Sequence, residues 1–270
     1  LSHSEVMKYY LLITFFVISV GAKSQMADSN AIALPDTASG FKTIRYEDGA
    51  VYEGNLTKGK RNGQGKMTYK DSTVYSGNWQ EDKQNGEGKI KLLNGERYEG
   101  EFKNGVIDGK GAYFFKNGSK YYGDFVNGVL DGNGIYYFKN GDRYEGHYVK
   151  GKRQGRGKYY YADGRMFDGY FENDKKVGKG TMVFSGGDKY VGNFANNSRN
   201  GKGIVYFANG ERFEGSFANN KMEGDGTFYL ADGSKIIGVW KNDEISGEAT
   251  IIDVKGNKRP YVPPVKEIKE

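Results

Sequence analysis

A 23-residue period runs without a gap from Tyr52 to Lys258, and it leaves this chain few ways to fold. Written at that length, the sequence gives nine rows, beginning at Tyr52, Tyr75, Tyr98, Tyr121, Tyr144, Phe167, Tyr190, Phe213 and Ile236. Position 3 of every row is glycine, from Gly54 to Gly238, and so is position 12, from Gly63 to Gly247. Position 14 is glycine from Gly65 to Gly226 and Ala249 in the last row. Position 5 is Leu56, then always aromatic, as in Trp79, Phe102 and Tyr148. A partial row comes first, with Tyr46-Glu47-Asp48-Gly49 matching the row ends. Such a period marks a repeat architecture, in which each unit buries its apolar face only against its neighbours.

Each row decodes into two strands. Asn-Gly or Asp-Gly precedes most row starts, as in Asn94-Gly95, Asn117-Gly118 and Asp163-Gly164. These residues suit the positive φ angles of a type I′ turn, so the pairs predict hairpins joining one row to the next. Positions 7 to 12 read as a longer connection with a second turn signal, as in Asn104-Gly105 and Asn196-Asn197. The expected fold is all-β: an elongated, twisted, single-layer antiparallel meander of repeated hairpins. About 18 strands at roughly 4.8 Å each would extend about 85 Å. Alternation puts positions 1, 3 and 5 on one face, and positions 12, 14, 16 and 18 on the same face, so that rings lie over glycines. The 42 glycines and 22 tyrosines fit this packing, and the chain has no cysteine to staple it.

The segment Tyr98-Glu99-Gly100-Glu101-Phe102-Lys103-Asn104-Gly105, followed by Gly109-Lys110-Gly111, resembles the MORN repeat (membrane occupation and recognition nexus). The resemblance covers residues 52–258. It implies an open sheet with an aromatic-lined groove and a role in protein binding, scaffolding or tethering near membranes. Relatives often carry catalytic domains, notably lipid kinases and a histone methyltransferase. The flanks here, about 50 residues before the array and 12 after it, leave no room for one on this reading.

The ends predict other roles. Met7-Lys8 opens a basic stretch, and Tyr9 to Ala22 follows without a charge. That run is short for a bilayer span and fits a secretory signal, with translation starting at Met7. Ala22-Lys23-Ser24 before Gln25 reads as the cleavage site; cleavage after Ala22 or retention as an anchor are the alternatives. Residues 1–24 are therefore expected to be a signal peptide, 25–40 a flexible linker, 41–258 the array and 259–270 a disordered tail. The mature chain is expected in the periplasm, at the envelope or outside the cell.

Catalytic chemistry finds little footing. The chain has two histidines, His3 and His147, and no cysteine, which leaves no triad, no Cys–His pair and no zinc site. Glu53, Glu99, Glu145, Asp168 and Glu214 share one row position, so they repeat one environment instead of forming an unlike acid–base pair. The Gly-x-Gly pairs open no helix and so make no dinucleotide fingerprint. No cofactor, metal or nucleic acid is expected.

Departures from the repeat point to binding. By resemblance, position 17 is usually small and polar; here it holds Phe114, Tyr137, Tyr160, Tyr206 and Tyr229. These rings face away from the packed side, at intervals of about 10 Å, and form a candidate aromatic ladder. Rows three and four carry Val106-Ile107 and Val129-Leu130 where others carry basic pairs. These read as a docking spot or a minor second core. Lys150, Lys152, Arg153, Arg156 and Lys158 form a candidate basic patch toward anionic lipid, in a chain of net charge +6. The expected partner is another protein, with anionic lipid as the alternative. Open sheet edges also permit end-to-end association.

Overall fold

The computed structural model describes Pro35 and residues 37–262. The expected signal segment, most of the linker and the tail from residue 263 lie outside the described residues. The described chain forms 20 strands. It divides into two compact units: residues up to 141 with 147–152, and residues 142–146 with those from 153 onward. Within each unit, strands pair antiparallel with their neighbours in the sequence, as the repeat predicts.

Row three shows the building block. Strand Arg97–Lys103 turns through Asn104-Gly105 into strand Val106–Phe114. Residues 115–119 then return the chain to strand Lys120–Val126.

The two turns are the reverse of the sequence expectation. The type I′ turn lies at positions 7 and 8, where both residues have positive φ: 51° and 87° at Asn104-Gly105, 48° and 72° at Asn196-Asn197. Positions 9 to 12 belong to the following strand and are not a loop. At the row ends one residue is left-handed, Gly95 at φ 88° in row two and Ser72 at φ 65° in row one. The Gly95 N–H donates to Leu92 O (3.0 Å), and the Leu92 N–H donates to Glu96 O (2.8 Å). This is a type I turn closed by a glycine bulge. Its Asn supplies an acceptor: Asn94 Oδ1 takes the Glu96 N–H at 3.0 Å. Asp71, Asp163 and Asp232 do the same in their rows.

Position 12 also departs from expectation. Between the pairs Gly100↔Gly111 and Phe102↔Ile107 the second strand carries two extra residues. Gly109, at φ 114°, sits in that bulge. The bulge turns position 12 off the ring face, and a Cβ on Gly63 would meet the Asn55 side chain at 3.5 Å.

Positions 3 and 14 do lie beneath rings. A Cβ on Gly88 would fall 2.6 Å from Tyr75 Cε2, and one on Gly203 would fall 2.6 Å from Tyr190 Cζ. The tyrosine hydroxyl donates to the position-4 carbonyl of its own row: Tyr75 to Asn78 O (2.8 Å) and Tyr190 to Asn193 O (2.9 Å). The position-5 rings stand edge-on between successive position-1 rings. In the first unit Phe102 lies 5.0 Å from Tyr75 and 5.3 Å from Tyr98; in the second, Phe194 lies 4.9 Å from Phe167 and 5.2 Å from Tyr190. Such pairs add about 0.5–1.5 kcal/mol each beyond burial. Burial pushes the Tyr52 and Tyr190 hydroxyls up to about 12.

Position 10 closes the ring layer from above. In the first row Arg61 lies 4.5 Å over Trp79 and 3.2 Å from Asp82 Oδ1. Ile107 and Leu130 fill the same place in rows three and four, fully or almost fully buried. They belong to the core, which excludes them as a docking spot. The sheet also outlasts the expected array: strand Lys258–Pro260 pairs with the end of strand Glu244–Ile252, and the Tyr261 N–H donates to Ala249 O at 2.8 Å. The tail expected to be disordered from 259 is thus strand through Pro260, a residue that an edge strand tolerates.

Candidate binding groove

The face opposite the rings carries positions 2, 4, 13 and 15. In the second unit these side chains flank a groove of about 1190 Å³. Its floor is bare backbone at Gly169, Gly180, Gly192, Gly203, Gly215 and Gly226, whose other side the rings cover. One line of side chains across the strands pairs Thr181 with Val191, Ile204 with Glu214, and Thr227 with Ile237. The other pairs Lys179 with Asn193, Lys202 with Ser216, and Asp225 with Val239. Val191, Ile237 and Val239 are 39%, 42% and 46% exposed, and Tyr170 is exposed at one end. Apolar side chains held open above a rigid glycine floor favour a ligand that buries them.

The corresponding face of the first unit is different. Its groove, about 480 Å³, is lined by Gln64, Ser76, Asn78, Glu87, Lys89 and Glu99. Ions there pair across strands: Lys89 with Glu99 at 2.8 Å and Lys66 with Glu53 at 3.8 Å. Lys110 lies 2.8 Å from Asp124; this hydrogen bond holds the Asp124 carboxyl below its usual range.

The expected aromatic ladder lies on the face opposite the packed rings, and Tyr122 bridges two of its members, 5.9 Å from both Phe114 and Tyr137. Phe114, Tyr206 and Tyr229 each lie between two cations of row position 23, whereas Tyr160 has Met166 on one side. Phe114 pairs with Arg97 and Lys120, and Tyr206 pairs with Lys189 and Arg212. Arg97 covers Phe114 at 3.9 Å, Arg143 covers Tyr160 at 4.2 Å and Arg212 covers Tyr229 at 4.1 Å. Tyr137 and Tyr206 are exposed, while Phe114, Tyr160 and Tyr229 are half-buried. Tyr229 alone of the five lines the groove.

The three cations of the expected basic patch that lie in the second unit do not gather on one face. Lys150 and Lys152 belong to the first unit; Arg153, Arg156 and Lys158 belong to the second. Arg153 is at position 10, on the ring side, with its side chain 11% exposed and 3.0 Å from Asp174. Arg156 and Lys158 both lie against Asp168, at 3.4 and 3.8 Å. Strand alternation splits the cluster between faces, and carboxylates neutralise part of it. His147 is half-buried, its Nδ1 3.3 Å from Asn133 Oδ1. Among the described residues no three His, Cys, Asp or Glu side chains gather as a metal site.

The residues that sequence reasoning missed are Val191, Ile204, Ile237 and Val239. A signal was present: aliphatic side chains at positions 2, 4 and 15, where rows one and two carry Glu53, Lys66, Ser76 and Lys89.

The fold and this groove define an all-β repeat protein. Eight consecutive copies of the MORN repeat match residues 52–74, 75–97, 98–120, 121–143, 144–164, 167–189, 190–212 and 213–235, and the chain belongs to the MORN-repeat family. No curated protein is a significant match to the sequence. Solved structures with some likeness include the G-box domain of the microcephaly protein CPAP, at 10% identity and TM-score 0.30, over 83% of this chain and 100% of that one. The TCP10 domain of Danio rerio CPAP matches at 11% identity and TM-score 0.36, over 82% and 99%. The TCP domain of Drosophila melanogaster SAS-4, solved with a proline-rich motif of Ana2, matches at 10% and 0.29, over 86% and 99%. Likeness at these scores says nothing of what this chain binds.

Proposed function

We propose that this chain is an exported, non-catalytic binding or scaffolding protein, and that the second unit's groove holds an extended segment of a partner protein. One observation carries the binding reading: the glycine-floored groove keeps Val191, Ile237 and Val239 open to solvent. Non-catalytic action is supported by the single histidine of the array and by acids that repeat one environment. Export is supported by the uncharged run from Tyr9 to Ala22. Binding to anionic lipid through basic loops has less support, because Arg153 lies on the ring face against Asp174, and Arg156 and Lys158 face Asp168.

The binding test selects peptides from a displayed random library on the immobilised protein. Enriched peptides should lose affinity for an Ile204→Asp/Ile237→Asp variant whose melting temperature is unchanged. Peptides that bind both proteins equally would remove the groove from the account. For export, the chain recovered from an envelope or medium fraction should begin near Gln25. A chain found only in the cytosol, starting at Met7, would defeat that part.

A further inference from the structure

The position-13 wall of the groove changes sign along its length, and its repeat distance selects one ligand conformation. On that basis we propose that the groove takes a left-handed polyproline-II segment with acidic residues at one end and basic residues at the other, one every third residue. The inference rests on the groove reading above and names the class of partner.

Charge gives the polarity. Lys179 and Lys202 occupy position 13 in rows six and seven; Asp225 and Glu248 occupy it in rows eight and nine. All four line the groove and are exposed. Among the described residues none of the four has an ion-pair partner, unlike the Lys89–Glu99 and Lys110–Asp124 pairs of the first unit. Two free cations followed by two free anions complement a segment that is acidic, then basic.

Spacing gives the conformation. Consecutive position-13 residues stand two strands apart, about 9.6 Å. A polyproline-II helix repeats every three residues at about 3.1 Å each, or about 9.3 Å per turn, and drifts by roughly 1 Å over three rows. An α-helix returns to one face after seven residues, about 10.5 Å, and drifts roughly three times as far. A β-strand presents one face every two residues, about 6.7 Å, and falls out of step within the first row. Tyr170 and Tyr229 also line the groove, and aromatic side chains are what proline-rich segments dock against. The polyproline-II backbone is pre-ordered, which lowers the entropy lost on docking.

The test uses labelled synthetic peptides and fluorescence anisotropy at low salt. The matched probe is (Glu-Pro-Pro)2-(Lys-Pro-Pro)2. One control alternates the charges as (Glu-Pro-Pro-Lys-Pro-Pro)2, and another replaces every Pro of the matched probe with Gly. The matched probe should bind about tenfold tighter than either control. Exchanging two wall charges, Lys202→Glu with Asp225→Lys, should reverse the preference in favour of the alternating peptide. Both residues are exposed, and an unchanged melting temperature verifies the fold. Equal affinity for the two charge patterns overturns the polarity, and equal affinity for the Gly peptide overturns the conformation. If no synthetic probe binds while library peptides still need Ile204 and Ile237, this inference fails and the groove reading stands. If library peptides ignore those residues, the groove reading itself falls.

Discussion

The two units share one frame and present different surfaces on it. Beneath both faces the frame is the same: a position-1 ring over glycines 3 and 14, with a position-5 ring edge-on beside it. Above it, the first unit sets Lys89 against Glu99 and Lys110 against Asp124, whereas the second leaves Val191 and Ile237 open and Lys179 and Asp225 unmatched. An exposed pair that satisfies itself contributes about 0–1 kcal/mol and has no need of a partner. The second unit pairs charges too, Arg156 and Lys158 with Asp168, so the units differ in which rows satisfy their own charges, although every row carries the same repeat.

If the frame is common, equivalent lesions should cost the same in either unit. Gly88→Val and Gly203→Val each drive a side chain into a ring already in van der Waals contact. Each should destabilise its own unit by about 4 kcal/mol or more, read by urea unfolding. A mild effect in one unit alone would break the equivalence.

A smaller effect separates the two kinds of lid over the rings. Ile107→Ala, in the first unit, removes a fully buried side chain and should cost about 2–5 kcal/mol. Arg153→Ala, in the second, strips the cover from Tyr144 and Phe171 and leaves Asp174 partly solvated, which should cost about 1–3 kcal/mol. Equal losses in the same unfolding assay would mean that the two lids seal the rings alike.

The smallest effect is confined to the second unit. Lys176 is buried over Tyr161 and Phe167, and its counterpart of Asp174 in the next row is the neutral Asn197. Burial, with Arg153 and Arg165 nearby, lowers its amine to about 8 from 10.5. Between those values the unfolded chain binds the extra proton, so this group makes the second unit more stable as pH rises from about 8 toward 10.5. The opposite trend begins near pH 10, where tyrosines raised by burial, Tyr190 among them, lose their advantage as pH climbs toward 12. Lys176→Met should abolish the rise in unfolding free energy between pH 8 and 9.5 and stabilise the unit at pH 7. A slope that persists in the variant would place its origin elsewhere.

Much of this frame was legible because a period of 23 needs no outside information: the Tyr–Gly–aromatic pattern of positions 1, 3 and 5 gives strand, face and neighbour together. The turns were misread because Asn-Gly occurs at both row connections. Which one is type I′ depends on the hydrogen bond across the loop, and the dipeptide does not encode it. Rows with Lys150-Gly151 or Glu81-Asp82 at positions 7 and 8 hide the stronger turn behind unpromising residues. In the second unit Arg153 falls on the ring face and Arg156 and Lys158 on the other, and only the bulge and alternation tell Arg153 from Arg156. The groove was missed for another reason. It is written in how positions 2, 4 and 15 change from row to row, whereas the period shows only what the rows share.

The two-residue and three-residue turns have a further consequence. Within a unit, strands that pair are joined by connections of two or three residues. Little loop entropy is spent before a pairing forms, so assembly can begin at any row and spread outward. Gene duplication can add a row, and deletion can remove one, without disturbing distant pairings.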